Sequence, residues 1–259
     1  MKIKTRLVKL GNSTPLSISL LLILHFAVYS QTADPIKIKV GDTMIVGSFI
    51  KPYKNLWQMT FSRTGQDPII AGTWSDEVVV IHLSGRSLLK RTQIANYPKR
   101  GITLTTINVF DPLTMAPISR EFSRNDGTFN HIDFAGASIK YRRVELPGGA
   151  AKEGEAHFDS PVFDFFGGLY GLLVTAFPLK AGFAASLPSL DENTDSVRWA
   201  IFRVVREEMV EAGPDRKIKA WVVETDDNGP MTFWLTKEAP YVIKLVYVGP
   251  QGTWTYTMV

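Results

Sequence analysis

Short runs in which apolar and polar side chains alternate follow one another along most of the chain, and this pattern predicts β-strands. Turn-forming residues separate the runs, and Asp126-Gly127 is a strong hairpin signal. We expect two groups of strands, between residues 43 and 144 and between residues 182 and 258, with about eleven to thirteen strands in all. Because no helical period lies between neighbouring runs, successive strands are expected to pair as antiparallel meanders. Segment 147–155, rich in small and charged residues, is expected to be a mobile loop.

Between the two groups of strands, the pattern indicates one long α-helix over residues 161–177. Ser160 can cap its start, Pro161 suits the first helical position, and Pro178 ends it. Apolar side chains cover every side of this helix, so it must be buried on every side. A membrane span needs about 20 apolar residues and is not expected here. The predicted fold is therefore mainly β, a large curved antiparallel sheet or half-open barrel wrapped around one long apolar helix near 161–177.

The glycines of this helix leave a shallow strip on which another backbone can approach closely. Tight packing of the strip onto the sheet is the favoured interpretation. The functional alternative is that the strip and the neighbouring aromatic side chains leave room for an apolar ligand. The residues predicted to bind such a ligand are Phe163, Phe166, Gly167, Tyr170 and Gly171.

Residues 1–30 have the features of an export signal, with a basic start, an apolar stretch at 16–28 and the small residue Ser30 before the expected cleavage point. An uncleaved membrane anchor is the alternative, but the apolar stretch is shorter than a span of about 20 residues. We expect residues 31–259 to form a single antiparallel β domain with the inserted helix. This chain is then expected in the periplasm or outside the cell, with no transmembrane span after cleavage.

The charge of the chain comes from its first thirty residues. Lys and Arg number 29 and Asp and Glu 25, and four of the basic residues but none of the acidic ones lie in 1–30. The remainder is therefore neutral, which argues against nucleic acid as a partner. The chain has no cysteine, which excludes a lipid-anchor cysteine, disulfides and thiolate metal sites. No cofactor is predicted.

Two histidines stand two residues before an aspartate, in His131-Ile-Asp133 and His157-Phe-Asp159. On a strand this spacing places both side chains on one face, as an oriented base would require. Without a hydrolase or metalloprotease motif, surface polar pairs are the favoured interpretation. The run 226–229 resembles part of a calcium loop but fits a hairpin turn better, so no metal site is predicted. The six tryptophans are interpreted as packing residues.

Three runs carry a resemblance to known proteins: 176–183 after the apolar helix, 221–224, and 233–245. They resemble the C-terminal half of a bacterial envelope family known only as a domain of unknown function. More distantly, the chain is similar to lipoprotein carriers, in which a half-open antiparallel sheet wraps helices and holds acyl chains. This resemblance implies a fold of that kind and no catalytic residue.

The sequence therefore predicts a non-enzymatic envelope protein that binds or shields a hydrophobic ligand, such as a lipid or acyl chain, between a concave sheet and the apolar helix. A structural or interaction module with a closed core and an envelope protein as partner is the alternative. A hydrolase that uses a His–Asp pair is a third class.

Overall fold

The computed structural model describes residues 34–166, 169–213, 215–227 and 229–259, apart from the side chains of Leu169 and Tyr170. The predicted export signal, residues 1–30, lies outside the described residues. Within them, fifteen strands form one sheet. The strands are β1 (Ile36–Lys37), β2 (Tyr53–Ser62), β3 (Ile69–Leu83), β4 (Arg86–Tyr97), β5 (Ile102–Phe110), β6 (Pro117–Arg124), β7 (Phe129–Ala135), β8 (Ser138–Val144), β9 (Lys152–His157), β10 (Ala184–Asp191), β11 (Ser196–Glu211), β12 (Lys217–Thr225), β13 (Met231–Leu235), β14 (Val242–Gly249) and β15 (Gly252–Met258).

The sheet consists of two antiparallel meanders joined side by side. Strands β2 to β9 pair in chain order, and so do strands β10 to β15. The last strand, β15, pairs antiparallel with β2, with Thr255 opposite Thr60, and this pairing joins the two meanders. Strand β1 adds to β10 in parallel. The mainly β class is thus confirmed, but the described residues contain more strands than expected, and the sheet is open with β1 and β9 at its two ends.

The prediction of one long apolar helix near 161–177 is wrong. In this segment the described helix is α1 (Leu169–Thr175), only seven residues long. Residues 161–165 are not helical, because the Phe163 N–H donates to the Pro188 carbonyl (2.8 Å) and the Phe163 carbonyl accepts from the Leu190 N–H (3.1 Å). These bonds attach the segment to β10, and glycine costs about 1 kcal/mol relative to alanine in a helix, so the Gly167-Gly168 pair disfavours a continuous one. The sheet is therefore not wrapped around a long helix.

Two further segments differ from the pattern. The sequence pattern predicts the first strand at residues 43–50, but these residues form turns, and the Val46 N–H donates to the Ala176 carbonyl (3.1 Å). Their apolar side chains Ile45 and Ile50 are buried in the core without any strand pairing. Part of the expected loop 147–155 belongs instead to β9, which pairs with β8.

The core lies on the inner face of a curved sheet. One hydrophobic cluster contains Trp57 of β2, Phe110 of β5 and Phe202 of β11, which stand far apart in the strand order. Such strands meet around one cluster only if the sheet curves. The segment 160–177 and residues 38–50 supply the side chains that fill part of this inner face.

Candidate functional site

The inner face of the sheet holds a cleft of about 430 Å³. Its wall is largely aromatic and apolar, with side chains from β3, β10, β11, β13, β14 and β15, from the β10–β11 turn and from the segment before α1. We call this the cleft, and its lining residues are Trp74, Phe165, Phe166, Leu190, Asp191, Glu192, Asn193, Arg198, Met231, Phe233, Leu245, Tyr247 and Tyr256. A largely apolar wall with a few polar groups is the usual composition of a small-molecule site.

The charged and amide groups of the cleft come from the end of β10, from the β10–β11 turn and from β11. Asn193 is exposed and Glu192 half-buried, whereas Phe233 is buried, so the polar groups lie toward solvent. Arg198 forms an ion pair with Asp227, with 3.0 Å between Nη2 and Oδ1. Burial raises the pKa of Asp227 to about 6. The entrance of the cleft is therefore charged and its interior apolar.

A second cavity of about 150 Å³ adjoins the cleft, and we call it the side chamber. Trp74, Phe166 and Tyr256 line both cavities. The other lining residues come from β4, β5 and β6, namely Gln93, Ala95, Tyr97, Leu104, Thr106 and Phe122. Burial raises the pKa of the Tyr97 and Tyr256 phenols, so both stay neutral at neutral pH.

Phe166 stands at the boundary between the cleft and the side chamber. The Arg120 guanidinium lies 4.3 Å from the centre of its ring. The Phe122 ring packs edge-on against it, with 5.2 Å between centroids. A cation over the ring face and an aromatic edge are both favourable contacts for a phenyl group. Phe166 is therefore held in position from the sheet side.

A buried polar network fixes the segment that carries Phe166. Arg120 is fully buried and donates through Nη1 to Asp164 (3.0 Å) and to Glu192. Asn108 donates to the second Asp164 oxygen (3.1 Å), and Asn130 donates to the second Glu192 oxygen (2.6 Å). The network links the segment before α1 and the β10–β11 turn to strands β5, β6 and β7. It thereby positions two residues of the cleft wall, Phe166 and Glu192.

The charges of this network set one another's pKa. Burial raises the pKa of the Asp164 carboxyl above its usual range, while Arg120 opposes this shift and Glu192 adds to it. For Arg120, burial acts to lower the pKa, but Asp164 and Glu192 outweigh burial and the pKa lies above its usual value. Arg120 therefore keeps its charge, whereas Asp164 takes up a proton at a higher pH than an exposed aspartate.

The residues of the cleft and side chamber lie within the part of the chain that identifies its family. The model of a family described as "Protein of unknown function (DUF3108)" matches residues 69–258. The chain belongs to this family. Neither a curated protein nor a solved structure is significantly similar to it. The predicted resemblance to a family of unknown function is confirmed, while the envelope and carrier resemblances stay predictions.

The predicted ligand-binding residues of this DUF3108 protein occupy different places. Phe166 lines both cavities, whereas Phe163 is fully buried in the core and forms the bridge to Ser189 of β10. Gly171 packs tightly, since a Cβ there would lie 2.7 Å from a Val242 methyl. Gly167 and the Tyr170 side chain lie outside the described residues. A ligand-binding role stays a prediction for all five.

Most residues of the cleft wall are not predicted as site residues from the sequence. Trp74 and Tyr256 contact each other on the inner face, with 5.0 Å between ring centroids, although they lie 182 residues apart in the chain. The available signal is the alternation of Trp254, Tyr256 and Met258 with threonines in β15. It identifies a strand with an aromatic face but not the space beside it.

The two predicted His–Asp pairs lie outside both cavities of the described structure. His131 contacts Asp133 at 3.2 Å. His157 contacts Glu155 at 3.3 Å rather than the expected Asp159, and its side chain is 75% exposed. Among the described residues, no group of three or more His, Asp or Glu side chains is arranged to hold a metal. No helix in that part of the chain is long and apolar enough to cross a membrane.

Proposed function

We propose that this DUF3108 protein is an exported, non-enzymatic protein that binds an apolar molecule, such as a lipid or acyl chain, in the cleft. The observation that carries this proposal is the unfilled volume of about 430 Å³ against a largely apolar wall. Burying apolar ligand surface there contributes about 25 cal/mol per Å² before the cost of association. A closed core would have left no such space.

Two further features support binding rather than catalysis. The side chains that border the cleft most deeply, among them Phe233 and Leu245, carry no reactive group. His131 and His157, the candidate bases, line neither cavity. The cleft therefore offers an apolar surface with polar groups at its entrance, which suits an amphiphile.

The test is the binding of a neutral apolar dye, 1-N-phenylnaphthylamine, followed by the dye's own fluorescence. Met231→Trp places extra volume in the cleft and should weaken dye binding at least about tenfold, which corresponds to about 1.4 kcal/mol. Met209→Trp is the matched control, because Met209 is 60% exposed on β11 and does not line the cleft. Equal dye binding by the two variants would contradict the proposed location.

Extraction of the purified protein with organic solvent, followed by mass spectrometry, identifies any ligand that it retains. A protein that binds no dye and carries no apolar compound would instead fit an interaction module, and its partner would be sought by pull-down from envelope extracts. Export is tested separately by cell fractionation and N-terminal sequencing. We expect a mature chain that begins at Gln31 in the periplasm or medium.

A further inference from the structure

The side chamber contains polar groups for which the described structure supplies no hydrogen-bond partner. Gln93 is 3% exposed, and among the described residues neither its Nε2 nor its Oε1 has a partner. The indole Nε1 of Trp74, which lines both cavities, is likewise buried and unpartnered within that part of the chain. A buried polar group without a hydrogen-bond partner destabilises the folded protein, because it has lost its bonds to water and gained none in return. Groups of this kind, placed around a cavity, are what a ligand with matching donors and acceptors would satisfy.

The chemistry of the wall selects the kind of group that fits. Within the described residues, the side chamber is lined by no Asp, Glu, Lys, Arg or His. Asp76 and Arg91 form a buried ion pair on β3 and β4, the strands that carry Trp74 and Gln93. Two hydrogen bonds of 2.7 and 2.6 Å join them, so this pair already satisfies its own charges. A charged group in the chamber would therefore lose its hydration without an oppositely charged side chain in the lining to pair with, which is costly.

Gln93 presents both a donor and an acceptor, so its natural complement also has both. A carboxamide or a hydroxyl meets this condition, whereas an ester accepts only and a carboxylate adds a charge. Thr106, opposite Gln93 on the neighbouring strand and also buried, offers a hydroxyl to the same group. The volume of about 150 Å³ is small enough to admit the end of a molecule rather than its body.

We propose that the side chamber is a subsite for the uncharged polar end of the ligand, a carboxamide or hydroxyl that both donates and accepts hydrogen bonds at Gln93. The apolar body of the same molecule occupies the cleft, since Trp74, Phe166 and Tyr256 border both cavities. This inference rests on the proposed function and specifies its ligand as a neutral amphiphile.

The test compares ligands that share one decyl-length chain and differ at the end. Decanamide, decan-1-ol, methyl decanoate and decanoate each displace 1-N-phenylnaphthylamine from the full chain, and the concentration for half displacement is measured. We expect decanamide and decan-1-ol to act at roughly tenfold lower concentration than the ester or the carboxylate, as expected for one or two additional hydrogen bonds.

Gln93→Leu should abolish this preference, so that the amide and the ester displace the dye at similar concentrations. Gln93→Met is a second variant with an unbranched side chain, for use if the leucine variant does not fold. The matched control is Gln58→Leu, because Gln58 lies on β2 between the inward-facing Trp57 and Met59 and lines neither cavity. This control should keep the wild-type preference.

The failures of the two proposals are distinguishable. The subsite is overturned if the dye binds and all four ligands displace it equally, or if Gln93→Leu keeps the preference for the amide and the alcohol. In either case water forms the hydrogen bonds of Gln93, and the proposed function stands. If neither the dye nor any of the four ligands binds the wild-type protein, the proposed function and the subsite are both overturned.

Discussion

At the scale of single residues, Arg120 links strand β6 to two other segments. Its charge lies between Asp164 and Glu192, and its guanidinium covers the Phe166 ring. A buried guanidinium contributes little net stability compared with an apolar side chain of similar volume, because burial removes its hydration. Once its partners are in place, however, its removal leaves their charges uncompensated. We therefore interpret Arg120 as a residue that fixes where the cleft wall stands.

Replacement of Arg120 by methionine tests this interpretation. We expect Arg120→Met to lower the free energy of unfolding at pH 7 by about 3–5 kcal/mol, because Asp164 and Glu192 lose their counter-charge. Arg142→Met is the matched control, since Arg142 is 61% exposed and its contact with Glu153 is 3.5 Å long. An exposed pair of this kind contributes about 1 kcal/mol or less. Urea denaturation measured for both variants gives the comparison.

The stability lost in Arg120→Met should depend on pH. The pKa of folded Asp164 lies above its usual value, so acidification protonates the folded protein before the unfolded chain and favours folding. In Arg120→Met that protonation also removes the uncompensated charge, so the stability deficit should shrink as the pH falls from 7 toward the usual range for aspartate. A deficit that stays constant with pH would show that packing, rather than charge, determines the loss.

At the scale of secondary-structure elements, the sequence predicts strands well where turns bound them. The sequence pattern predicts strands at 69–83, 138–144, 217–225 and 231–235, and these are the limits of β3, β8, β12 and β13, because local turn chemistry and alternation decide them. The prediction of a long helix is wrong because of contacts that are distant in sequence. Phe163 forms hydrogen bonds with β10 and Asp164 with Arg120, and the sequence of the segment itself does not encode either partner. Strand β9 was missed because small and charged residues such as Gly154 do not favour a strand. The Tyr141 side chain lies across Gly154, since a Cβ there would be 2.3 Å from the Tyr141 hydroxyl and would displace that ring.

Helix α1 illustrates how close packing competes with helix propensity. Alanine is favoured over glycine inside a helix by about 1 kcal/mol. At Gly171, however, a Cβ would approach Val242 methyl groups to 2.7 and 3.2 Å, and overpacking of a core costs about 1–3 kcal/mol. We expect Gly171→Ala to lower the free energy of unfolding by about 1 kcal/mol. Val242→Ala should relieve the contact, so the double variant should be more stable than the sum of the two single effects predicts. Additive effects in urea denaturation would contradict this packing.

At the scale of the whole molecule, the candidate site depends on contacts that no local pattern encodes. Phe166 was identified from the sequence because it belongs to a conspicuous apolar segment. Trp74, Gln93 and Tyr256 were not singled out as site residues, since the cavities that they line exist only after β15 has paired with β2 and the sheet has curved. A cavity is a property of the assembled sheet, and alternation along a strand predicts which side chains point inward but not whether they fill the space.

The pairing of β15 with β2 should therefore govern the stability of the entire sheet. Thr255 lies between Thr60 of β2 and Val246 of β14, so Thr255→Pro removes a backbone donor and introduces a steric conflict in a central strand. Glu155→Pro makes the same change in β9, which forms one end of the sheet. We expect Thr255→Pro to destabilise both meanders by about 3 kcal/mol or more, and Glu155→Pro to increase amide exchange only near β9. Hydrogen exchange measured by mass spectrometry reports on each strand. If Thr255→Pro left the amide protection of β4 to β8 unchanged, the two meanders would be independent folding units. The cleft would then not depend on the pairing of β15 with β2.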